Sequence, residues 1–582
     1  MKDYDVCIIG SGAGGGPVAL TLAQAGYDVL VLEKGPWLTE KDFYKDELAC
    51  CRRSVYTPNL RDEQHVIEDY DGKDEQGQYK WASEATFESG WDFWNGNMVG
   101  GATNVMSGFF YRLKPVDFRL HSEFGPINEA NRVDWPIGYD DLEPYYTKVE
   151  KEIGISGRVV KHEFAEPRST VDFPYPPTAE HPVSKQFDNA CQKMKLTALP
   201  TARAILPFAV AGRRGCEYSG FCGSYGCSSG AKGSARAALL DRAVETSRCE
   251  IRANAKVNRL ISDNKGRVVT AEYVDKQNNL HKVDAKIFVV ACQAIETSRL
   301  LLSSPGPRHP DGLGNNSGQV GKNLVFSAGG SGYGDFTYKT MAADKAQAMK
   351  QRGPFVNRGL QDWYVINDKK IGGRVKGGTI DFLLRHPNPI AQANGLKWDG
   401  DDLIWGSMLK SKLKQHFTEA LSLRYETFVD WLPTDDCFVT LDGKVKDKWG
   451  MPVAKIRIGY HDHDLEVARY LQKRAQSVIN KMGAVNVRGS VSGSPPQNLQ
   501  AGGCRFGKDA ASSVLDADCR AHGVENLYVT DGSFMPTGGS VPYTWTIYAN
   551  AFRVADRMVE RLGGARVPAG GVPAQGTVTG DS

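Results

Sequence analysis

Two features that would direct a chain to a membrane or to nucleic acid are missing from this sequence of 582 residues. No apolar run approaches the ~20 residues that cross a bilayer, so we expect no transmembrane segment. Lys and Arg number 71 against 68 for Asp and Glu, a net charge of +3, so the charge balance predicts no nucleic-acid partner. A first strand is predicted to begin by Tyr4, so we expect no signal peptide. From the sequence alone, the predicted location is the cytoplasm.

Cysteine is also scarce, with 12 residues in the chain, too few for a disulfide scaffold. Hydrophobic residues make up 41% and charged residues 24% of the sequence, which is typical of a globular protein. The length exceeds that of one ordinary core and predicts two domains.

Glycine, in contrast, is concentrated in informative places, first of all in residues 4–34. This stretch has the order strand, glycine loop, helix, second strand and acid, which is the dinucleotide-binding fingerprint. Gly10 allows a tight turn, Gly12 lets the backbone approach a pyrophosphate, and Gly15 lets the helix pack on the strand. The helix N-terminus offers N–H groups to phosphates, and Glu33 is predicted to accept a hydrogen bond from a ribose hydroxyl. The loop alone predicts a dinucleotide and leaves NAD and FAD as alternatives.

A second strand–turn–helix unit lies near the C-terminus. An apolar strand ends in Asp531-Gly532-Ser533, and a long helix is predicted to begin near Thr544. A strand end followed by a helix start is a place where another part of an extended cofactor can lie. An ordinary structural turn is the alternative.

Together, the two ends resemble the glucose–methanol–choline (GMC) oxidoreductase family of flavoproteins, and four segments between them match the family in the same order. The matching segments are VGGATNV at 99–105, VVACQAIETSRLL at 289–301, VGKNL at 320–324 and GGCRFG at 502–507. The resemblance implies that the cofactor is FAD, and that the N-terminal loop binds its ADP half.

The same resemblance implies the remaining cofactor contacts. Asp531, Gly532 and Ser533 would lie beside the pyrophosphate and ribityl chain. Gly101, Thr103 and Asn104 would lie beside the flavin ring, and Val257 would contact the adenine. Thr546, which matches the threonine of the family's NPxxT motif, completes the predicted FAD site.

The implied fold class is α/β, with a Rossmann-like FAD-binding domain of the GMC type and a second, antiparallel-sheet substrate domain. The predicted boundaries are 1–325 and 495–563 for the FAD-binding domain, with a cysteine-rich insertion near 210–235, 326–494 for the substrate-side domain and 564–582 for a disordered tail. Residues 36–90 are polar and irregular, and they are predicted to form a long surface excursion.

Three of the cysteines, Cys216, Cys222 and Cys227, stand close together in one glycine-rich run. Closely spaced Cys thiolates hold iron–sulfur clusters, whereas zinc usually takes four N/S ligands at tighter spacing. Three thiols suit a three-iron, four-sulfur cluster. The run resembles that of the large subunits of bacterial sugar (gluconate, fructose, glucose) dehydrogenases, which carry such a cluster. Three reduced structural cysteines, or one disulfide and a free thiol, are the alternatives.

The sequence departs from the family where the catalytic residues are expected. Simple alignment puts Leu499 at the position of the family's histidine and Pro542 at that of its second His or Asn. Oxidation of an alcohol needs a group that accepts the hydroxyl proton, and neither side chain can do so. The amides of Asn498 and Gln500 can hold a hydroxyl, and a shift of one or two residues brings Asn498 or Tyr543 into the site. These three are the predicted catalytic residues.

The leading hypothesis is FAD-dependent oxidation of a CH–OH group of a sugar, sugar acid or polyol by hydride transfer to the flavin. Electrons would then pass one at a time through the cluster to a partner, expected to be a cytochrome c. The resemblance also implies a small subunit that carries the export signal, which makes a periplasmic or membrane-associated location the alternative to the cytoplasm. A GMC oxidase that uses oxygen, and a flavin-binding electron-transfer subunit without alcohol oxidation, are the other hypotheses.

Overall fold

The structure is a computed structural model, and it describes residues 4–50, 63–73, 76, 78–89, 93, 95–327, 329–351, 353, 355–491 and 499–564. The predicted catalytic residue Asn498 and residues 565–582 of the predicted tail lie outside this part of the chain.

The β-strands, in chain order, are β1 (Tyr4–Ile9), β2 (Val29–Leu32), β3 (Val66–Lys73), β4 (Tyr79–Ala85), β5 (Leu199–Pro200), β6 (Cys249–Arg252), β7 (Lys256–Ser262), β8 (Val268–Val274), β9 (Leu280–Val290), β10 (Leu324–Phe326), β11 (Gly330–Thr337), β12 (Val356–Leu360), β13 (Val365–Asp368), β14 (Gly373–Lys376), β15 (Gly378–Leu383), β16 (Trp398–Asp399), β17 (Asp402–Leu403), β18 (Ala420–Val429), β19 (Phe438–Lys446), β20 (Pro452–Arg457), β21 (Val485–Val491), β22 (Gln500–Gly502) and β23 (Leu527–Val529).

The α-helices are α1 (Gly15–Gln24), α2 (Glu47–Cys50), α3 (Thr86–Ser89), α4 (Leu120–Phe124), α5 (Tyr139–Val149), α6 (Val183–Met194), α7 (Asp241–Glu245), α8 (Ala294–Leu302), α9 (Ala343–Met349), α10 (Pro389–Leu396), α11 (Gly406–Lys414), α12 (Asp462–Lys481) and α13 (Thr544–Arg561).

A largely parallel sheet carries the N-terminal fingerprint. Its strands run in the order β6-β2-β1-β9-β8-β7, and β23 pairs with β9. Val6 of β1 lies opposite Val29 on one side and Ile287 on the other. β2 is a continuous run of Val and Leu, and β1 is apolar from Val6 onward, because a parallel sheet is buried on both faces. The first strand begins at Tyr4 and the last helix at Thr544, as the sequence predicts.

A six-stranded antiparallel sheet, β21-β11-β18-β15-β12-β5, forms the second layer, and this confirms the predicted fold class. Helix α12 packs on one face of this sheet, where its Leu471 and Val478 share an apolar core with Leu423 and Tyr425 of β18. Side chains alternate between the faces of a strand. The opposite face of the sheet is therefore available to line a cavity.

The prediction that residues 36–90 are a surface excursion is wrong for β3 and β4. These strands form a hairpin, and β20 extends it by pairing in parallel with β3, in the order β19-β20-β3-β4. Arg457 of β20 donates to Glu68 of β3 at 3.0 Å, across 389 residues of sequence. The hairpin is largely polar and its partner is remote in the chain, so no local pattern reveals it.

Strands β10 and β22 join the two segments that lead into and out of the antiparallel sheet. Leu324 lies opposite Gly502, and Phe326 lies opposite Gln500. Across the described ranges, no helix combines the length and the apolar character that crossing a membrane requires.

Candidate active site

One cavity of about 1200 Å³ extends from the N-terminal glycine loop to the antiparallel sheet. Its wall includes residues 9–14 of the loop, residues 101–103 of the second glycine segment and residues 542–544, where α13 begins. Residues of β11 and β18 close the far side. The cavity therefore brings together both ends of the chain and both main sheets.

The N-terminal glycine loop is packed tightly against protein and is open toward the cavity. Gly10 has a φ of +96°, and a Cβ there would lie 2.3 Å from the carbonyl oxygen of Ala291. A Cβ on Gly15 would lie 2.1 Å from the carbonyl oxygen of Gly10. The Cβ position of Gly12 has no neighbouring atom within 4 Å, and Gly12 lines the cavity. The loop thus leaves an open space beside Gly12, here called the cradle, which a side chain at this position would fill.

Glu33 lines the cavity at the end of β2. Its carboxylate accepts hydrogen bonds from the Ser11 hydroxyl at 2.5 Å and from the N–H groups of Ser11 and Gly35 at 3.1 and 2.9 Å. Burial raises the pKa of Glu33, and these donors oppose the effect. The ribose contact of Glu33 stays a prediction.

The second glycine segment supplies Gly101 and Thr103 to the cavity wall. The Thr103 hydroxyl donates to the carbonyl oxygen of Gly100 at 2.5 Å. The Asn104 amide donates to the carbonyl oxygens of Val99 and Gly101 at 2.9 and 3.1 Å. Asn104 therefore braces the backbone of the loop that carries the two cavity-lining residues.

Asp531 is the centre of hydrogen bonding in the C-terminal turn. One of its carboxylate oxygens accepts from the N–H and hydroxyl of Ser533 at 2.8 and 2.5 Å. The other accepts from the Thr297 hydroxyl at 2.5 Å and the Gln293 N–H at 3.0 Å. Asp531 and Gly532 line the cavity, and Ser533 holds Asp531 in place.

Val257 lines the cavity together with two cations that the sequence analysis does not single out, Lys256 and Arg299. Asp447 joins these cations, with its carboxylate 3.2 Å from the Lys256 ammonium and 2.6 Å from the Arg299 guanidinium. Burial lowers the pKa of Lys256 to about 8. Arg299 belongs to the matched segment 289–301, but no spacing in the sequence places Asp447 beside it.

Leu499, Gln500 and Pro542 all line the cavity, so the positions where the family's catalytic residues are expected do lie at the site. Leu499 has a φ of +59°, a conformation that costs a non-glycine residue of order 1–3 kcal/mol. The Gln500 amide donates to the carbonyl oxygen of Phe93 at 2.8 Å. Its side chain is thus held in place at the cavity wall.

Tyr543 also lines the cavity, and its buried hydroxyl has no hydrogen-bond partner among the described residues. Burial, with the nearby charge of Asp430, raises the pKa of Tyr543 well above its usual value. Because a buried hydroxyl normally has a partner, the Tyr543 hydroxyl is an unsatisfied polar group in the wall of the cavity. The Thr546 hydroxyl lies 2.9 Å from that of Tyr146 and fastens α13 to α5.

Cys216 has a pKa raised to about 11. Burial is the main cause, and the charges of the nearby Cys222 and Cys227 add to it. For Cys227, burial is outweighed by the Lys232 charge and local hydrogen bonds, so its pKa is lowered. All three are free thiols, so the disulfide alternative is not seen. The described residues contain no group of three or more His, Cys, Asp or Glu side chains that could hold a metal ion.

Three cations lie near these thiols: Arg203 and Lys232, which are buried, and Arg213, which is half-buried. Lys232 donates to the carbonyl oxygens of Cys222 and Tyr225 at 2.9 and 2.8 Å. Arg213 donates to three backbone carbonyl oxygens, and the Nη1 of Arg203 has no hydrogen-bond partner in the described part of the chain. Burial lowers the pKa of both arginines to about 10. Because buried charges need compensation, this environment favours an anionic group at the thiols.

The antiparallel sheet contributes polar side chains that the sequence analysis missed, namely Ser331, Arg424, Glu426 and Ser490. Arg424 and Glu426 are two residues apart on β18 and point to the same face. Their guanidinium and carboxylate lie 3.9 Å apart. The period-2 pattern of β18 is a signal for one lined face, but it does not say what that face contacts.

A glycine loop on a parallel sheet, with an antiparallel sheet closing the same cavity, is the arrangement of a dinucleotide-binding protein with a second, substrate-side layer. The chain belongs to the GMC oxidoreductase family. The family's N-terminal model matches residues 176–327, and its C-terminal model matches residues 433–551.

Curated relatives span almost the whole chain. Paromamine 6'-oxidase of Streptomyces fradiae is 32% identical over 95% of this chain and 90% of its own length. The 2-methyl-1,2-propanediol dehydrogenase of Mycolicibacterium austroafricanum is 31% identical, over 96% and 95%. The fructose dehydrogenase large subunit of Gluconobacter japonicus is 25% identical, over 96% and 98%. These relatives are named as oxidases and dehydrogenases, and this chain is an enzyme of the same family.

Solved structures support the fold. A variant of the formate oxidase of Aspergillus oryzae RIB40, studied for FAD modification, superimposes with a TM-score of 0.62 at 15% identity. The match covers 96% of this chain and 98% of that chain. The family and this fold support FAD as the cofactor.

Proposed function

We propose that this enzyme oxidises a CH–OH group of a sugar, sugar acid or polyol with FAD as the hydride acceptor. The observation that carries the proposal is the continuity of one cavity, from the open cradle at Gly12 to the polar side chains of the antiparallel sheet. The cradle suits a pyrophosphate, and the sheet end offers a separate compartment for a substrate. Relatives named for a sugar and for a diol support the substrate class.

The residues that would hold FAD follow the course of the cavity. Gly10, Gly12 and Gly15 shape the phosphate loop, and Glu33 would accept a ribose hydroxyl. Val257 would contact the adenine. At the other end, the set comprises Gly101, Thr103, Asn104, Asp531, Gly532, Ser533 and Thr546. Of these, Asn104, Ser533 and Thr546 act by holding backbone or helix in place.

FAD supplies the acceptor for a hydride that leaves the alcohol carbon, and the hydroxyl proton leaves with it so that a carbonyl forms. The chain must therefore bind the hydroxyl, and we propose that its proton passes to solvent water, because Asn, Gln and Tyr side chains are not bases near neutral pH. Gln500 and Tyr543 line the cavity beside the family's usual catalytic positions, and Asn498 precedes them in sequence. We propose that these polar groups orient the hydroxyl, with the Tyr543 hydroxyl as a hydrogen-bond donor.

We further propose that electrons leave through a three-iron, four-sulfur cluster held by Cys216, Cys222 and Cys227. These thiols would have to draw together around it, because the described residues contain no ready group of metal ligands. The support is the set of cations at these thiols, since an anionic cluster would compensate Arg203, Arg213 and Lys232. The acceptor would be a partner protein such as a cytochrome c, alongside a small subunit. The relative named as a large subunit supports a multi-subunit assembly. Co-export with that subunit would place the enzyme in the periplasm or at the membrane.

The test is anaerobic flavin reduction by the purified protein. We expect bound flavin whose absorbance bleaches with at least one sugar, polyol or diol and returns with an artificial electron acceptor. A protein that binds no flavin even after incubation with FAD would refute the proposal. Flavin that stays oxidised with every alcohol would favour a flavin-binding electron-transfer subunit.

An oxidase is the second candidate function, because relatives such as paromamine 6'-oxidase carry that name. After reduction by substrate, the enzyme is mixed with oxygen or with cytochrome c. Fast reoxidation by oxygen with stoichiometric hydrogen peroxide would select the oxidase, and fast cytochrome reduction would select the dehydrogenase.

A further inference from the structure

Four polar residues stand side by side across four strands of the antiparallel sheet. Ser490 of β21 lies opposite Ser331 of β11, Ser331 lies opposite Glu426 of β18, and Glu426 lies opposite Asp381 of β15. Directly opposed residues share one face of a sheet, with Cβ atoms about 4.5–5.5 Å apart. Ser490, Ser331, Glu426 and Asp381 thus form a continuous line, here called the polar row.

The polar row faces the cavity. Helix α12 and the apolar residues Leu423 and Tyr425 occupy the other face of the sheet. Ser331, Glu426 and Ser490 line the same cavity as Gln500 and Tyr543. A substrate held at the proposed hydroxyl-binding residues therefore shares one compartment with the row.

The buried end of the row is fixed. Asp381 is fully buried and accepts a hydrogen bond from the Tyr111 hydroxyl at 2.5 Å. A Cβ on Gly359 would lie 2.2 Å from that hydroxyl, so glycine makes room for the pair. Asp381 cannot move toward the cavity without losing this bond. It is therefore held at the end of the row, opposite Glu426 on the neighbouring strand.

The charges on the row determine what it can recognise. Burial raises the pKa of Asp381 to about 8, and the Glu426 charge adds to this effect, so the neutral acid is favoured at Asp381. The pKa of Glu426 is also raised by burial, against the opposing charge of Arg424. With Arg424 only 3.9 Å away, a carboxylate at Glu426 is balanced. The row offers strong hydrogen-bond acceptors without the net negative charge that would select an ammonium group.

We propose that the polar row is a subsite for substrate hydroxyl groups remote from the carbon that is oxidised, with Glu426 as its specificity-determining residue. The ligand class is a diol, polyol or sugar, in preference to a simple alcohol or an amine. The inference builds on the proposed oxidation, but the binding that it predicts can be measured without turnover.

Calorimetric binding to the flavin-loaded enzyme tests the subsite directly. Ligands are used in pairs that differ by one hydroxyl, such as glycerol with 1,3-propanediol, 1,2-propanediol with 1-propanol, and glucose with 2-deoxyglucose. We expect the wild type to bind the more hydroxylated member of at least one pair more tightly. Glu426→Gln should reduce that preference about 10- to 100-fold, the range for a hydrogen bond to a charged group. Ser331→Ala should reduce it by a smaller factor.

Glu419→Gln, directly before the same strand and outside the cavity lining, is the matched control and should keep the wild-type preference. Flavin content and anaerobic reduction rates are recorded for every variant. If Glu426→Gln and Ser331→Ala bind both members of each pair as the wild type does, or if the wild type shows no preference, the subsite is refuted. If Glu426→Gln weakens binding of both members of a pair equally, Glu426 acts at the reacting hydroxyl, and this result would also refute the subsite. A wild type that binds polyols selectively but never reduces its flavin would support the subsite and refute the proposed oxidation.

Discussion

The hydroxyl of Thr530 donates a hydrogen bond to the carbonyl oxygen of Gly14 at 2.9 Å, across 516 residues of sequence. The bond joins the strand end before Asp531 to the N-terminal glycine loop. A Cβ on Gly14 would lie 2.8 Å from both the backbone nitrogen and the Cα of Asp531. The two ends of the chain therefore meet backbone to backbone at the cavity.

Gly12→Ala and Gly14→Ala are expected to fail in different ways. The methyl group of Gly12→Ala enters open space at the cradle, so FAD content should fall while the Tm of the flavin-free protein is unchanged. Gly14→Ala pushes two backbone segments apart, and overpacking of this kind costs about 1–3 kcal/mol, so the Tm of the flavin-free protein should fall too. The measurements are thermal unfolding and the flavin-to-protein absorbance ratio.

Gly395→Ala serves as the control for both variants, because its Cβ position in α10 also has no neighbouring atom within 4 Å. It should retain wild-type flavin content, and its stability should not fall, because alanine favours a helix over glycine. Full flavin occupancy in Gly12→Ala would show that the open space there is not the phosphate cradle.

Tyr543→Phe is expected to slow flavin reduction by substrate about 10- to 100-fold, since it removes the hydroxyl that we propose as a hydrogen-bond donor to the substrate oxygen. The hydroxyl has no hydrogen-bond partner among the described residues, so stability should not fall. Stopped-flow reduction under anaerobic conditions measures the effect. Tyr425→Phe, on the α12 face of the sheet, should react at the wild-type rate. A wild-type rate in Tyr543→Phe would leave Gln500 and Asn498 as the remaining candidates.

Cys222→Ser tests the electron route. The variant should lose iron and any low-temperature paramagnetic signal of a three-iron cluster, and it should reduce cytochrome c at least tenfold more slowly. Reduction of the flavin by substrate should be unchanged, because that step precedes the cluster. Cys191→Ser changes a buried cysteine of α6 outside the run of three cysteines, and it should behave as the wild type. Iron-free wild-type protein after anaerobic cluster reconstitution would contradict the proposed ligand set.

Asp381→Asn tests the charge state at the buried end of the polar row. The pKa of Asp381 in the folded protein, about 8, lies above the unfolded value near ~3.9. The folded state therefore binds this proton more tightly, and the stability from that proton is fully present below about pH 4 and is lost as the pH rises through about 8. Asn carries no such titration and still accepts from Tyr111.

The Tm gained by Asp381→Asn over the wild type should consequently be larger at pH 8 than at pH 5. The charged groups that face this carboxyl are Glu426, which raises its pKa, and Arg203, which lowers it. Asp401→Asn, at an exposed position, is the control variant. A constant difference for Asp381→Asn would mean that Asp381 is ionised throughout this range.

The features that could be predicted from the sequence are those formed by residues close together in the chain. The fingerprint at 4–34 and the turn at Asp531 could be predicted because each function there depends on neighbours in sequence: a glycine at a positive φ, a strand end, a helix start. Leu499 and Pro542, which alignment puts at the family's catalytic positions, lie in the wall of one cavity, and their role stays a prediction. The domain boundaries remain a proposal, supported by the pairing of β10 with β22 on either side of the antiparallel sheet.

The parts that escaped prediction all depend on contacts between distant segments. Glu426 belongs to the polar row only because Ser331 and Asp381 lie opposite it on neighbouring strands. The sequence of β18 alone does not reveal this strand register. Likewise, Lys256 and Arg299 become one charged group only through Asp447. Single-residue patterns identify which face of an element is buried, but they do not say which other element covers it.

The strand order of the parallel sheet has a consequence for synthesis of the protein. β1 pairs with β2 at once, but its other neighbour is β9, which ends at Val290. Because the ribosome adds about 5–20 residues per second, β1 is synthesised tens of seconds before β9. During that time one edge of β1 has no partner strand. An unpaired edge of this kind is a template for association with other chains. Nascent chains and truncated fragments that stop before β9 should therefore depend on chaperones to stay in solution.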